Sequence, residues 1–570
     1  MIRLAGMTGI LTLLLGVGNL VGHIGAAETP FAGVWKVVGT LPAQGGGQDS
    51  ILGLVEIKGD EKSPKVELLT HGIEPFKNAK ATGATLKDGE LTFALSSGQL
   101  NISFVFVGPA NKATRTGGHM DLRSNLLPAY LSKSDKKDLK DVKLETPAEG
   151  NEKLQAITKA ANLDEQIQLA KAMVKDLPGR AATIRGTTLV VIAALKSGKS
   201  DQAAQMADVV VSSANDFGKA FSSRITREIA GELAKEKGSA PKAILLSEGL
   251  LKDLGPTAPA QQEAGLLGVL RMAFLKIGKT DDAAKITARL DGLESKLDLE
   301  FEKINIPFKP TPYAGRKADS NRAVVVELFT GAMCPPCVAA DVSFDALIKT
   351  YTSKDVILLQ YHLHIPGPDA LTNATSESRQ NFYEKDIEGT PTMMINGKAG
   401  PPLGGNRQGA ERSYQALTKI INTSLTNAPT PVELSIEAGA SGNKVGARVI
   451  YKGLKSTENL KLHTVLIENE VRYPGSNGQR LHHHIVRDFL GGVTGVALKK
   501  TEGEESFTVE IPKLRETLTG YLEKFEKENG PFPVSSKPLD LKHLKLVVFI
   551  QNEKTHEILQ AAQADLPEGK

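Results

Sequence analysis

The alternation of apolar and polar positions divides the chain into four stretches of different period. From Phe31 to about Ser134 the pattern is that of short strands. Val66-Glu67-Leu68-Leu69, Leu86 to Phe93 around the Asp88-Gly89 turn, and Ile102 to Val107 are β-rich runs set off by turn residues. From Asn151 to about Glu300 strand signals almost vanish and an alanine-rich helical period takes over. From Val324 strands and helices alternate. Val324-Val325-Val326-Glu327-Leu328-Phe329 reads as a short buried strand, and a helix follows from Cys334, with Val338, Val342, Leu347, Ile348 and Tyr351 roughly on one face. Asp355 to Tyr361 fits a central parallel strand. A helix around Ser376 to Lys385, a strand begun by Pro391 and turned by Asn396-Gly397, and an amphipathic helix from Arg407 to Leu425 complete this stretch. From Pro429 β-pattern returns in Val432 to Ile436, Val445 to Tyr451, Leu462 to Ile467, Leu481 to Val486 and Leu546 to Gln551, interrupted by a helix from about Lys513 to Lys527.

These stretches predict a multidomain α+β chain. Its expected parts are an N-terminal antiparallel β-barrel or sandwich over 28–140, a helical-repeat domain over 148–302, an α/β domain over 305–427 and a C-terminal β-sandwich over 428–570. The charged run from Lys133 to Gly150 and the prolines Pro307, Pro310 and Pro312 read as linkers. Within the helical stretch, Ala193 to Ala204 matches Ala273 to Ala284 at an offset of 80 residues, with Gly238 at the midpoint. The unit is then a helix pair of about 40 residues, each pair turned by a glycine in left-handed backbone. It resembles a tetratricopeptide-like solenoid with a longer repeat and no aromatic signature, a design that serves as spacer or as docking surface for another protein.

Composition narrows the function classes. With 41% apolar and 24% charged residues the chain reads as globular, and 69 basic against 65 acidic residues leave a formal net charge of +4. No basic stripe interleaved with aromatics is present, so nucleic-acid binding has no support. The uncharged run from Leu4 to Ile24 after Arg3, with small residues at Gly25 and Ala27, predicts a signal peptide over 1–27 and a periplasmic or extracellular protein. The rival is an uncleaved anchor helix, to which Gly6, Gly9, Gly16, Gly18 and Gly22 are ill suited.

The candidate chemistry lies in Cys334-Pro335-Pro336-Cys337, the only two cysteines of the chain. A C-x-x-C pair at a helix N-terminus combines an acidified thiol with a partner onto which it can close. Pro336 has no N–H, so only Cys337 can donate a backbone hydrogen to the Cys334 sulfur. The thiol is therefore expected to be only moderately acidic, which argues against a very strong oxidant. Cys334 is read as the attacking or attacked sulfur and Cys337 as the resolving one.

The order of strand, C-x-x-C helix, strand, helix, Gly389-Thr390-Pro391-Thr392 strand with hairpin, and helix resembles the thioredoxin superfamily over about one-fifth of the chain. Val-Glu-Leu-Phe-Thr before the cysteines, and Arg379-Gln380 and Asn396-Gly397 after them, are most similar to secreted bacterial multidomain thioredoxin-like proteins whose substrates are not established. The resemblance implies a cis proline at Pro391, preceded by Thr390, lying against the sulfurs. It also implies a buried acid, Glu327, placed to take the proton of Cys337; an outward-pointing or lysine-paired Glu327 is the alternative. Met333 stands where that family often has tryptophan and suits a soft contact surface.

These readings imply an exported thiol–disulfide oxidoreductase acting on protein thiols or disulfides, with a membrane-bound redox partner as electron source and with no cofactor and no resident metal. Two alternatives stay open. Met333, Cys334, Cys337, His362 and His364 would suit copper(I), or the disulfide is structural and the chain an interaction scaffold. His482-His483-His484, with 482 and 484 on one strand face, reads as packing at a hairpin edge rather than as a metal site. With Val471 to Gly475 and Val547 to Gln551, these histidines also resemble the β domain that follows thioredoxin modules in some exported bacterial proteins.

Overall fold

The computed structural model describes residues 29–43, 46–98, 100–108, 114–122, 125–255, 258–316, 320–426, 429–532 and 534–566. The expected signal peptide at 1–27 lies outside the described residues. The chain divides into two units, one ending at Leu233 and one beginning at Ala234.

In the first unit, β1 (Gly33–Ala43), β2 (Gly46–Lys58), β3 (Lys65–His71), β4 (Lys80–Lys87), β5 (Glu90–Ser97), β6 (Leu100–Val107), β7 (Arg115–Leu122) and β8 (Asn125–Lys133) form an antiparallel sheet in the order β3-β2-β1-β8-β7-β6-β5-β4. The sheet curls over one apolar core that includes Trp35, Phe93, Phe104 and Phe106. Trp35 Nε1 donates to the Phe31 carbonyl at 2.7 Å, which satisfies its buried N–H. Asp88 and Gly89 both have positive φ, the backbone of a two-residue hairpin turn, as the Asp-Gly pair predicts. The expected linker after Lys133 is not free: β9 (Glu145–Pro147) pairs with β2. Helices α1 (Asn151–Lys159), α2 (Leu163–Asp176), α3 (Ala181–Lys196), α4 (Ser200–Ala214) and α5 (Lys219–Leu233) complete this unit.

The second unit begins with α6 (Ala240–Asp253), α7 (Ala260–Lys276) and α8 (Thr280–Ile304). The sequence repeat is realised as two equal turns. Gly198 between α3 and α4 and Gly278 between α7 and α8 take φ of 68° and 77°, and Lys199 and Lys279 each donate their N–H to the carbonyl five residues back at 2.9 Å. Gly238 does not adopt left-handed backbone, so the expected third turn of this kind is absent among the described residues.

Strands β10 (Val324–Thr330) and β11 (Val356–His362) are parallel and buried along their whole length, which explains the apolar runs with which they begin, Val324 to Val326 and Val356 to Leu359. Between them lies α9 (Val338–Thr350); after them come α10 (Ala374–Phe382), β12 (Thr392–Ile395), β13 (Lys398–Ala399) and α11 (Ala410–Leu425). β12 runs antiparallel to β10. Val324, Val326 and Leu328 pack under α9 and α11, while Val325 and Phe329 face the opposite layer with Tyr361 and Tyr383. The proline segment before β10 is not a free linker, because Phe308 packs 5.2 Å from the Tyr414 ring of α11.

The remaining elements are β14 (Glu433–Ser441), β15 (Lys444–Lys452), β16 (Leu460–Arg472), β17 (Leu481–Leu490), β18 (Val496–Ala497), β19 (Gly503–Glu510), α12 (Ile511–Asn529), β20 (Leu544–Asn552) and β21 (Ile558–Asp565). They correct the expected separate C-terminal sandwich. β17 pairs in parallel with β11 through Gln360 and Ile485, so one sheet runs β13-β12-β10-β11-β17-β16-β20-β21. Only β14, β15 and β19 form a separate sheet, and it packs on the β16 and β20 face. The cause is β11 itself: it is buried along its whole length, so the backbone N–H and C=O groups along both of its edges need strand partners. β17 is therefore an interior strand, and His482 to His484 do not lie at a hairpin edge.

Candidate functional site

β10 ends at Thr330 and hands the chain through Gly331 to Met333 into Cys334-Pro335-Pro336-Cys337, whose last three residues form one 3₁₀ turn ahead of α9. Prolines fit this turn because its first N–H groups lack helical partners in any case. Cys334 and Cys337 are joined in a disulfide with their Cα atoms 5.3 Å apart, and their residues are 2% and 0% exposed. The Cys334 side chain receives no cap from the turn, in keeping with the missing N–H of Pro336.

Thr390 and Pro391 lie against this sulfur, and the bond between them is cis. Thr390 Oγ1 stands 3.4 Å from Cys334 Sγ and 3.3 Å from the Ile365 carbonyl. A hydroxyl has one hydrogen, so it turns to the sulfur when that sulfur is the better acceptor, as a thiolate is. The Thr390 carbonyl oxygen is 3.6 Å from Cys334 Sγ, a contact rather than a hydrogen bond while the disulfide leaves no hydrogen there.

Glu327 is not brought to the cysteines. Strand alternation turns it to the face of β10 opposite α9, where Arg379 Nε and Nη2 donate to its two oxygens at 2.8 and 3.1 Å and Tyr383 Oη donates at 2.8 Å. All three side chains are buried, so Glu327 is the counter-ion of an internal arginine.

The carboxyl on the disulfide's side of the sheet is Asp341, four residues and one helical turn after Cys337. Its Oδ1 accepts from Thr330 Oγ1 at 2.7 Å and from Gln360 Nε2 at 3.2 Å, while Oδ2 has no hydrogen-bond partner among the described residues. Burial pushes its pKa up to about 7 against the opposing hydrogen bond from Thr330. Sequence reasoning passed over it, because an aspartate in a helix's first turn reads as a dipole partner on a solvated face.

A second acid fixes the loop before Cys334. Asp369 Oδ2 accepts the Ala332 N–H at 2.6 Å and meets His362 Nδ1 at 2.9 Å, and Oδ1 accepts the Leu371 N–H at 2.8 Å. Burial works against its charge, yet His362 and these N–H groups hold its pKa below the ordinary carboxylate range. His364 Nδ1 accepts from the Asp369 N–H at 3.0 Å, so both histidines of the copper alternative serve Asp369. Among the described residues no group of three or more His, Cys, Asp or Glu side chains is placed to hold a metal ion.

The loop between β16 and β17 closes the site from the other side. Asn477 donates its backbone N–H to the Ala332 carbonyl at 3.1 Å and its side-chain amide to the carbonyls of Gly331 and Cys334 at 3.2 and 3.4 Å. Gly475 lies so close that a Cβ there would stand 2.6 Å from the Ala332 oxygen. His482 accepts no charge in this setting: burial, with His362 beside it at 4.9 Å between ring centroids, pushes its pKa down to about 3. His483 behaves oppositely. Although burial opposes it, Asp345 and Glu470 raise it to about 10.

No family model matches the sequence, and no curated protein matches it. Among solved structures, a thioredoxin-like protein from Bacteroides caccae is similar over 45% of this chain and 95% of its own, at 12% identity and a TM-score of 0.12.

Proposed function

We propose that the chain is an exported thiol–disulfide oxidoreductase with a thioredoxin-like redox module, acting on protein thiols or disulfides through Cys334 and Cys337. The observation that carries this reading is the disulfide between β10 and α9 with Thr390-Pro391 laid against Cys334. In the oxidising direction a substrate thiolate attacks Cys334 Sγ, the Cys334–Cys337 bond breaks and Cys337 leaves as thiolate. A second substrate thiolate then attacks its own sulfur in the mixed disulfide, so the substrate leaves oxidised and the protein holds both electrons as a dithiol. The reducing direction is the reverse. In it, Cys337 must lose its proton before it attacks, and Asp341 replaces Glu327 as the group that accepts it. It lies one turn along the same helix, has a free oxygen, and is held near the pKa that such a transfer needs.

The test is disulfide reduction of a protein substrate, with dithiothreitol as electron donor, by the wild type and by Cys334→Ser. The variant is expected to lose all catalysis above the dithiothreitol background. Equal rates would falsify the redox reading.

A further inference from the structure

We infer that a groove beside Met333, walled by α7, the C-terminal end of α12 and the β16–β17 loop, binds an extended apolar polypeptide segment whose cysteine is delivered to Cys334. This inference deepens the redox reading and rests on it for the role of the delivered cysteine. The groove has a volume of about 830 Å³ and is lined by Met272, Leu275, Met333, Tyr473, Phe525 and Phe532, among others. Its walls come largely from outside the 305–427 stretch that carries the cysteines.

The groove is built rather than incidental. Arg271 Nη1 donates to the Phe532 carbonyl at 2.7 Å, tying the segment after α12 to α7. Phe525 and Phe532 stack at 5.8 Å, and Tyr473 meets Phe532 edge-on at 6.5 Å. Gly530 turns the chain at φ 92°, with the Met272 sulfur 3.3 Å from where its Cβ would stand. Large side chains that are apolar yet exposed are few among the described residues, and two of them, Leu275 at 42% and Met333 at 41%, line this groove.

Three features choose the occupant. Met333, the residue before Cys334, lines the groove, so what lies against it is next to the disulfide in the chain. Cys334 is only 2% exposed, which a broad folded surface cannot reach but a protruding side chain on a narrow extended chain can. The charged lining residues are Lys235, Lys276 and Lys527 against Glu236, Glu526 and Glu528, so their charges cancel and favour an uncharged segment.

The test uses the full chain and two fluorescein-labelled nonapeptides with a central serine in place of the cysteine, one flanked by leucines and one by serines. Fluorescence anisotropy is expected to show the leucine peptide bound and the serine peptide not. Leu275→Glu is expected to weaken the leucine peptide about tenfold, as loss of one covered leucine contact does. Leu275→Ser should do so to a smaller degree, and Leu299→Glu, at an exposed leucine outside the groove, should change nothing. In parallel, the rate with a small aromatic disulfide is expected to be the same in all three variants. Equal binding of both peptides, or leucine-peptide binding untouched by both Leu275 variants, overturns the groove assignment even if disulfide chemistry is intact. Groove binding with no disulfide chemistry in the wild type instead overturns the redox reading and the delivery of a cysteine with it.

Discussion

Asp341 gives the folded chain a proton that the unfolded chain does not hold. Its folded pKa, about 7, lies above the ordinary aspartate value, so the native state binds the extra proton between the two values and stability falls as pH rises through that window. Below pH 4 both states are protonated and the penalty is absent. Asp341→Asn removes it, and the variant is expected to be more stable than wild type at pH 8 by up to roughly 4 kcal/mol, the gap closing toward pH 4. Urea denaturation at the two pH values measures this. The same variant should slow reduction of substrate at pH 7, where the carboxylate is needed. Glu327 separates from Asp341 by the opposite result: Glu327→Gln leaves Arg379 buried without its counter-charge and is expected to cost about 3–5 kcal/mol of stability at neutral pH. Its reduction potential, measured against glutathione, should stay close to the wild-type value. At Thr390, replacement by valine removes the one side-chain donor to Cys334 Sγ among the described residues and is expected to raise the pKa of the reduced thiol by about one unit, read from the pH profile of its alkylation. The cysteines and Thr390-Pro391 were legible because each is a local pattern of a few residues. The roles of Glu327 and Asp341 were not, since each depends on which face of β10 its neighbours occupy.

Among the elements, the loop from Tyr473 to Arg480 has more to do with the site than its sequence suggested. It carries no chemistry of its own, yet Asn477 holds three carbonyls of the segment that presents Cys334. Asn477→Ala removes the two side-chain bonds to that segment, and with them the bond its Oδ1 accepts from the Gln479 N–H, and is expected to loosen the segment. Alkylation of the reduced Cys334 should then quicken several-fold, with a stability loss of about 1–2 kcal/mol. Unchanged alkylation would show that the backbone bond of residue 477 suffices. The repeat turns at Gly198 and Gly278 could be read directly, because a helix end with left-handed backbone selects glycine. The Val471-to-Gly475 and histidine cluster was visible as a resemblance, but its position over the disulfide was not. That position follows from β17 lying beside β11, a pairing between strands far apart in sequence that leaves no local trace.

At the scale of the whole molecule, the unit from Ala234 onward cannot be cut where the composition changes near residue 428. Removing β16, β17, β20 and β21 would expose one edge of β11 and strip Val465, Val486, Val547 and Phe549 from the layer over Phe329 and Tyr361. Residues 305–427 expressed alone are therefore expected to aggregate or to lack a cooperative thermal transition, whereas 234–570 should show one. Differential scanning calorimetry of the two fragments decides this. The sequence pattern led to four separate parts because period and turn signals report on each element and not on which element lies beside it.

That same pairing has a temporal side. Gln360 meets Ile485 only after 125 further residues have been made, so a chain emerging N-terminus first carries β11 with an open border for much of its synthesis. For most of that interval the loop from Tyr473 to Arg480, which bonds to the segment from Gly331 to Cys334, has not been made either, and a holdase that shields the border of β11 would raise the yield of correctly closed molecules.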